Sequence, residues 1–229
     1  MSLQVRRRLG LADIITLFNV VIGTVAMAVA VLGEVQLVAQ LILLAAVADG
    51  LDGIVARFRG GTEVGPFLDS IADIVSFGTT PALFVFVAVR EEWGPLSESP
   101  ELFALAATVA SMFVVFSVLR TALYTVFVGE NETRPGIQNT LGGTILAAGY
   151  LAGITMVPVL LAATAVLSML MVAPFPYPKL LNRDAFAMSI IQFGAILVPT
   201  VANRLFPRLL LVAALAYLLL APRYYWGEK

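Results

Sequence analysis

Apolar runs of roughly twenty residues recur from one end of the chain to the other, the length an α-helix needs to cross a hydrocarbon layer of ~30 Å at ~1.5 Å per residue. A membrane-spanning strand would alternate apolar and polar positions over about ten residues, and runs such as Leu37-Val-Ala-Gln-Leu-Ile-Leu-Leu-Ala-Ala-Val-Ala48 do not alternate. The pattern predicts an all-α, polytopic helical membrane protein. Its spans fall at about 12 to 32, 36 to 57, 67 to 89, 102 to 128, 139 to 155, 157 to 174, 186 to 203 and 207 to 223, eight in all. The stretch from Thr140 to Pro174 is divided near Pro158, because it is too long for one helix and proline disfavours an uninterrupted one. Merging those two spans would leave seven.

Composition agrees: 60% of the residues are hydrophobic and 13% charged, with a mean hydropathy of +0.95, too little charge to cover a soluble surface. Arg6, Arg7 and Arg8 precede the first apolar stretch as they would in a signal peptide. The length of that stretch, with Asp13 and Asn19 inside it, favours an uncleaved first helix with an interfacial lead-in. No low-complexity linker or clear repeat divides the chain, so residues 1–229 are expected to form one domain. With the N-terminus inside, the cytoplasmic side collects Arg6, Arg7, Arg8, Arg57, Arg59, Arg134, Lys179, Arg183, Arg223 and Lys229, against Arg90, Arg204 and Arg208 outside, a positive-inside arrangement. The net charge of −1 points to no special partner. Tyr224, Tyr225 and Trp226 read as an interfacial aromatic belt and imply no nucleic-acid binding. Cysteine and histidine are absent, which removes disulfides, thiol nucleophiles, histidine bases and zinc sites of the usual kind. Acid–base or metal chemistry must rest on carboxylates.

Carboxylates are concentrated in one place. Asp49 and Asp52 are three residues apart, Asp69 and Asp73 four apart, so on helices each pair shares a face. The turn Arg59-Gly-Gly-Thr62 makes the two helices antiparallel neighbours, so all four acids can converge near the cytoplasmic surface. A lone aspartate at a helix end usually caps it. Four such acids in apolar helices would cost on the order of 10 kcal/mol, less near the interface, unless compensated. Divalent cations compensate: hard oxygen donors suit magnesium, manganese or calcium, and two ions shared by four carboxylates form a phosphate-handling site.

The run Asp49-Gly-Leu-Asp52-Gly53-Ile-Val-Ala56-Arg57, then Gly65-Pro-Phe-Leu-Asp69-Ser-Ile-Ala-Asp73, resembles the signature of the CDP-alcohol phosphotransferase family, D-x-x-D-G-x-x-A-R followed by G-x-x-x-D-x-x-x-D. Every fixed position is present. The spacer, Phe58 to Val64, is one residue shorter than the usual eight. The resemblance implies a two-metal site of Mg or Mn held by Asp49, Asp52, Asp69 and Asp73. It also implies that Asp73 acts as the general base that deprotonates the acceptor alcohol while CMP leaves. Asp52, Gly53, Ala56 and Arg57 would meet the CDP-lipid. Without the motif Arg57 reads as a topology anchor at a helix end. A homodimer is implied as well.

Further segments, Ile15-Thr-Leu-Phe-Asn19, Asp69-Ser-Ile-Ala-Asp73-Ile-Val-Ser-Phe-Gly78 with Pro81-Ala82, and Leu170-Met-Val-Ala-Pro-Phe-Pro-Tyr177, are similar to the phosphatidylserine and archaetidylserine synthase branch. That implies L-serine as acceptor and CDP-diacylglycerol or CDP-archaeol as lipid. Two segments depart from the branch. Its L-R-L-A-R-F-N stretch keeps only the first arginine, in Leu119-Arg120-Thr-Ala-Leu123, and its G-L-P-x-P-A is replaced by Gly136-Ile-Gln-Asn-Thr140. Arg120, a charge inside an apolar span, is a candidate to hold the serine carboxylate; snorkelling, or pairing with a site aspartate, is the other reading. Inositol phosphate or glycerol phosphate remains an alternative acceptor, with Arg134 and Lys179 as added cations. A cation-coupled transporter is the competing class, since buried carboxylates also line ion pathways.

Overall fold

The structure, a computed structural model, describes residues 9–95, 98–127, 134–178 and 182–224. The expected lead-in with Arg6, Arg7 and Arg8, and Lys179, lie outside the described residues. Eight helical segments are described: α1 (Leu11–Val31), α2 (Val35–Arg59), α3 (Gly65–Trp93), α4 (Pro100–Phe127), α5 (Asn139–Leu151), α6 (Val157–Met171), α7 (Asn182–Leu197) and α8 (Val201–Tyr224). Two-residue strands, β1 (Arg134–Pro135) and β2 (Pro176–Tyr177), pair antiparallel. Among the described residues, α1, α2, α3, α4 and α8 are five helices long and apolar enough to cross a membrane. The protein is an all-α polytopic membrane protein.

The bundle is apolar outside as well as in its core, where Phe84, Phe113, Ile42 and Leu43 are fully buried, and small or polar residues line the closest helix crossings. On α1, Leu17, Phe18, Val21 and Val25 are exposed, while Ala26 and Ala30 are buried and Gly23 faces inward. A Cβ at Gly23 would lie 2.6 Å from Ser76 Oγ, and one at Gly78 would lie 2.7 Å from Ser117 Oγ. The two glycines thus let α3 press against α1 on one side and α4 on the other, since small residues at crossing points allow close helix approach in lipid. Between them Phe77 is fully buried. This packing gives a physical reason for the Ser76-Phe77-Gly78 motif.

The span expected as one regular helix over 67 to 89 contains a π-helical stretch, Ile74–Thr79, directly after Asp73. Thr79 Oγ1 donates to the carbonyl of Ile74 (3.2 Å) and Thr80 Oγ1 to that of Val75 (2.8 Å), five residues back in each case, the spacing of the wide turn. The division at Pro158 is found: Gly153, at φ +104°, ends the turn after α5, and the proline sits in the first turn of α6, where its missing N–H costs nothing. The last break starts earlier than expected, at Val198, and is longer, because the chain is not yet regular helix when it leaves residues 198–200. Ala202, Asn203 and Arg204 then have φ of +49°, +56° and +61°. Regular right-handed helix resumes only after them, which places Pro207 in its opening turn.

Candidate active site

Residues on α1, α2, α3, α4 and α5 build the site. The turn after α2 is pinned to α1: Asp13 Oδ2 accepts the Gly10 backbone N–H (2.7 Å) and the Thr62 hydroxyl (2.8 Å), while the Gly65 N–H donates to Thr62 Oγ1 (3.0 Å). A Cβ on Gly65 would come within 3.2 Å of Asp13 Oδ1, which accounts for glycine at that position. With the turn clasped, α3 starts in a fixed register against α1. Carboxylate oxygens of Asp49, Asp69 and Asp73 then lie within 4.8 Å of one another. Asp49 and Asp73 are half-buried and Asp69 is exposed, so the cluster opens outward past Asp69.

Asp52 stands beside these three rather than among them. It is 5% exposed, and its Oδ2 accepts the Thr16 hydroxyl at 2.6 Å. Its charge still acts on Asp49 and Asp69. Asp49 Oδ2 accepts Thr140 Oγ1 at 3.3 Å. Arg120 is buried, its guanidinium carbon 4.4 Å above the Tyr124 ring, a cation–π arrangement, and its positive charge acts on Asp73. Arg120 and Tyr124 also form the polar part of a cleft of about 200 Å³ whose other walls, among them Leu123, Phe127 and Met171, are apolar. Gly53 and Ala56 are half-buried on α2; exposed Arg57 folds back so that its Nη1 lies 3.6 Å from where a Gly53 Cβ would be. Among the described residues no neighbour lies within 4 Å of that position at Gly50, so α2 offers an open backbone surface next to the acids.

Two unit charges some 5 Å apart repel by about 3 kcal/mol at an effective dielectric of about 20. Three carboxylates this close therefore form an unbalanced charge, and their hard oxygen donors fit a divalent cation such as Mg or Mn. The sequence reading missed several of the hydroxyl and amide groups around them: Thr16, Thr62, Thr140 and Asn139. One signal was present for the α1 group: Asp13, Thr16, Asn19 and Gly23 recur on a single face of an otherwise apolar helix.

The model of the CDP-alcohol phosphatidyltransferase family matches residues 9–191. An archaetidylserine synthase of Methanothermobacter thermautotrophicus is 24% identical over 174 residues, covering 75% of this chain and 70% of the relative. A CDP-diacylglycerol–serine O-phosphatidyltransferase of Methanocaldococcus jannaschii is 27% identical over 189 residues, 79% of each chain. One of the same name from Mycobacterium tuberculosis is 33% identical over 115 residues, half of this chain and 37% of the relative. The chain belongs to the CDP-alcohol phosphatidyltransferase family and is an integral-membrane enzyme of that kind.

Proposed function

We propose that the protein transfers the phosphatidyl or archaetidyl group of a CDP-lipid to L-serine, with release of CMP, at a metal site facing the cytoplasm. The observation that carries the chemistry is the convergence of Asp49, Asp69 and Asp73 to within 4.8 Å. When bound there, with Asp52 as the fourth carboxylate, two divalent cations supply charge neutralisation of the pyrophosphate and stabilise the leaving CMP. Asp73 accepts the proton of the acceptor hydroxyl. The freed oxygen attacks the lipid-linked phosphorus, and the bond from that phosphorus to the CMP oxygen breaks. The open surface at Gly53 and Ala56 admits the nucleotide, and Arg57 meets phosphate oxygens.

Serine as acceptor is supported by the names of the archaeal and mycobacterial relatives and by Arg120, whose guanidinium is held by Tyr124 near Asp73. It can grip a carboxylate through two N–H donors while the hydroxyl of the same molecule is presented to Asp73. The homodimer belongs to the same proposal and is tested by light scattering of the protein in detergent.

The test of the reaction is CMP release by purified protein from CDP-diacylglycerol and from CDP-archaeol, with Mg or Mn, offering L-serine, inositol phosphate or glycerol phosphate in turn. Serine-dependent release, lost in Asp73→Asn, is the expected result. Release with another alcohol replaces the acceptor and keeps the chemistry; no release from folded, metal-loaded protein favours the transporter reading.

A further inference from the structure

The first turn of α5 touches both halves of the site. Asn139 is fully buried, and its Nδ2 donates to Thr121 Oγ1 at 2.9 Å. Thr121, itself buried, directly follows Arg120 on α4. The next residue, Thr140, donates to Asp49 Oδ2 at 3.3 Å. Two consecutive side chains therefore run in different directions, one to the residue beside the arginine and one to a carboxylate of the acid cluster. Asparagine and threonine at a helix start usually serve their own helix. Here the first turn of α5 has no side-chain cap from Gln138, and these side chains bond to neighbouring helices. Asn139 Oδ1 is buried with no hydrogen-bond partner among the described residues, a burial that is unfavourable by itself and that leaves the bond to Thr121 as the visible role of the amide. The backbone just before is also fixed. Gly136, at φ +77°, lies so close to the end of α6 that a Cβ would overlap the Met171 carbonyl, and the N–H of Ile137 donates to the Leu170 carbonyl (3.0 Å).

We propose that Asn139 and Thr140 are positioning residues that couple the acceptor side of the site to its metal side. Thr140 orients the Asp49 carboxylate, which would be one of the groups holding a cation, and Asn139 sets the α4 register that carries Arg120. Groups that orient metal ligands typically change metal affinity about 10–100-fold when removed. The inference rests on the metal and acceptor assignments above, and the experiment separates its failure from theirs.

Mn²⁺ affinity is measured by electron paramagnetic resonance on the whole protein in detergent, together with kcat and KM for whichever acceptor supports turnover. Thr140→Val should weaken Mn²⁺ binding about tenfold with little change in acceptor KM, and Thr140→Ser should restore it. Asn139→Ala and Thr121→Val should each raise acceptor KM several-fold at unchanged Mn²⁺ affinity. The double variant should be no worse than either single, because both remove one bond. Should Asn139→Ala fail to fold, Thr121→Val, which leaves the asparagine in place, reads the same bond. Asp49→Asn is the control. If it binds Mn²⁺ normally, the metal assignment fails. If it loses Mn²⁺ while Thr140→Val keeps full affinity, or if the Asn139 and Thr121 effects simply add, the positioning inference alone is overturned.

Discussion

The two ends of α5 place polar groups in the same apolar bundle and use them oppositely. At its C-terminal end the Arg204 guanidinium donates to the Leu151 carbonyl (3.4 Å) and Arg208 Nε to the Ala152 carbonyl (3.5 Å). Cations meet the negative end of a helix there, and the charges are used up within the fold. At the N-terminal end Thr140 reaches Asp49 of a cluster in which three like charges share a few ångströms. Charge answered by backbone carbonyls is a structural device. Like charge gathered in one place is a request for a ligand of the other sign.

The sharpest way to break this comparison is at the acids. Asp73→Asn should lower CMP release about 10²–10⁴-fold, the usual contribution of a general base, with the melting temperature of the metal-free protein unchanged or raised as repulsion is relieved. Chelation of divalent cations should abolish turnover in the wild type, and re-addition of Mg or Mn should restore it. Saturating metal should also raise the melting temperature, since a ligand at 100 times its Kd adds about 2.7 kcal/mol; an unchanged melting curve would remove the metal from the reading. Gly78→Ala tests the packing behind the acids: its Cβ would sit 2.7 Å from Ser117 Oγ, and overpacking of this kind costs about 1–3 kcal/mol in thermal or denaturant unfolding. Arg208→Met, at the other end of α5, should cost about 1 kcal/mol of stability and leave CMP release untouched. The smallest effect belongs to Gly50→Ala, which meets nothing within 4 Å among the described residues and should add up to about 1 kcal/mol to the helix.

Much of this was legible in the sequence. Eight helical segments followed from run length, five of them, among the described residues, long and apolar enough to cross a membrane rather than the eight spans expected. The grouping of Asp49, Asp69 and Asp73 followed from spacing, because carboxylates in apolar helices have few other reasons to be there. The hydroxyl partners were not legible, and the reason is chemical. Threonine inside a helix can bond its own backbone one turn back, as Thr24, Thr108 and Thr164 do to Val20, Ala104 and Leu160, so its presence does not reveal whether it serves the helix or a neighbour. Thr16 does both, bonding the Ala12 carbonyl as well as Asp52. Only the three-dimensional arrangement distinguishes these uses. The replaced segment at Gly136 to Thr140 looked like an erosion of the acceptor pattern; in the structure its last two residues bond to Thr121 and Asp49. The break before α8 was longer than expected because Ala202, Asn203 and Arg204, none of them glycine, adopt left-handed backbone, which residue type alone does not announce.

The wide turn at Ile74–Thr79 has a consequence for phase. An ordinary helix is locked: each residue advances the face by about 100°, so the direction of Asp73 would dictate which side chains 11 to 15 residues later look inward. One extra residue in the winding breaks that lock. It lets the acids point to the mouth of the site while Phe84, Val85, Val87 and Ala88 stay buried further along the same rod. Removing Val75, a half-buried residue of that stretch, would retune the helix and rotate one function against the other, with no acid and no fully buried residue removed.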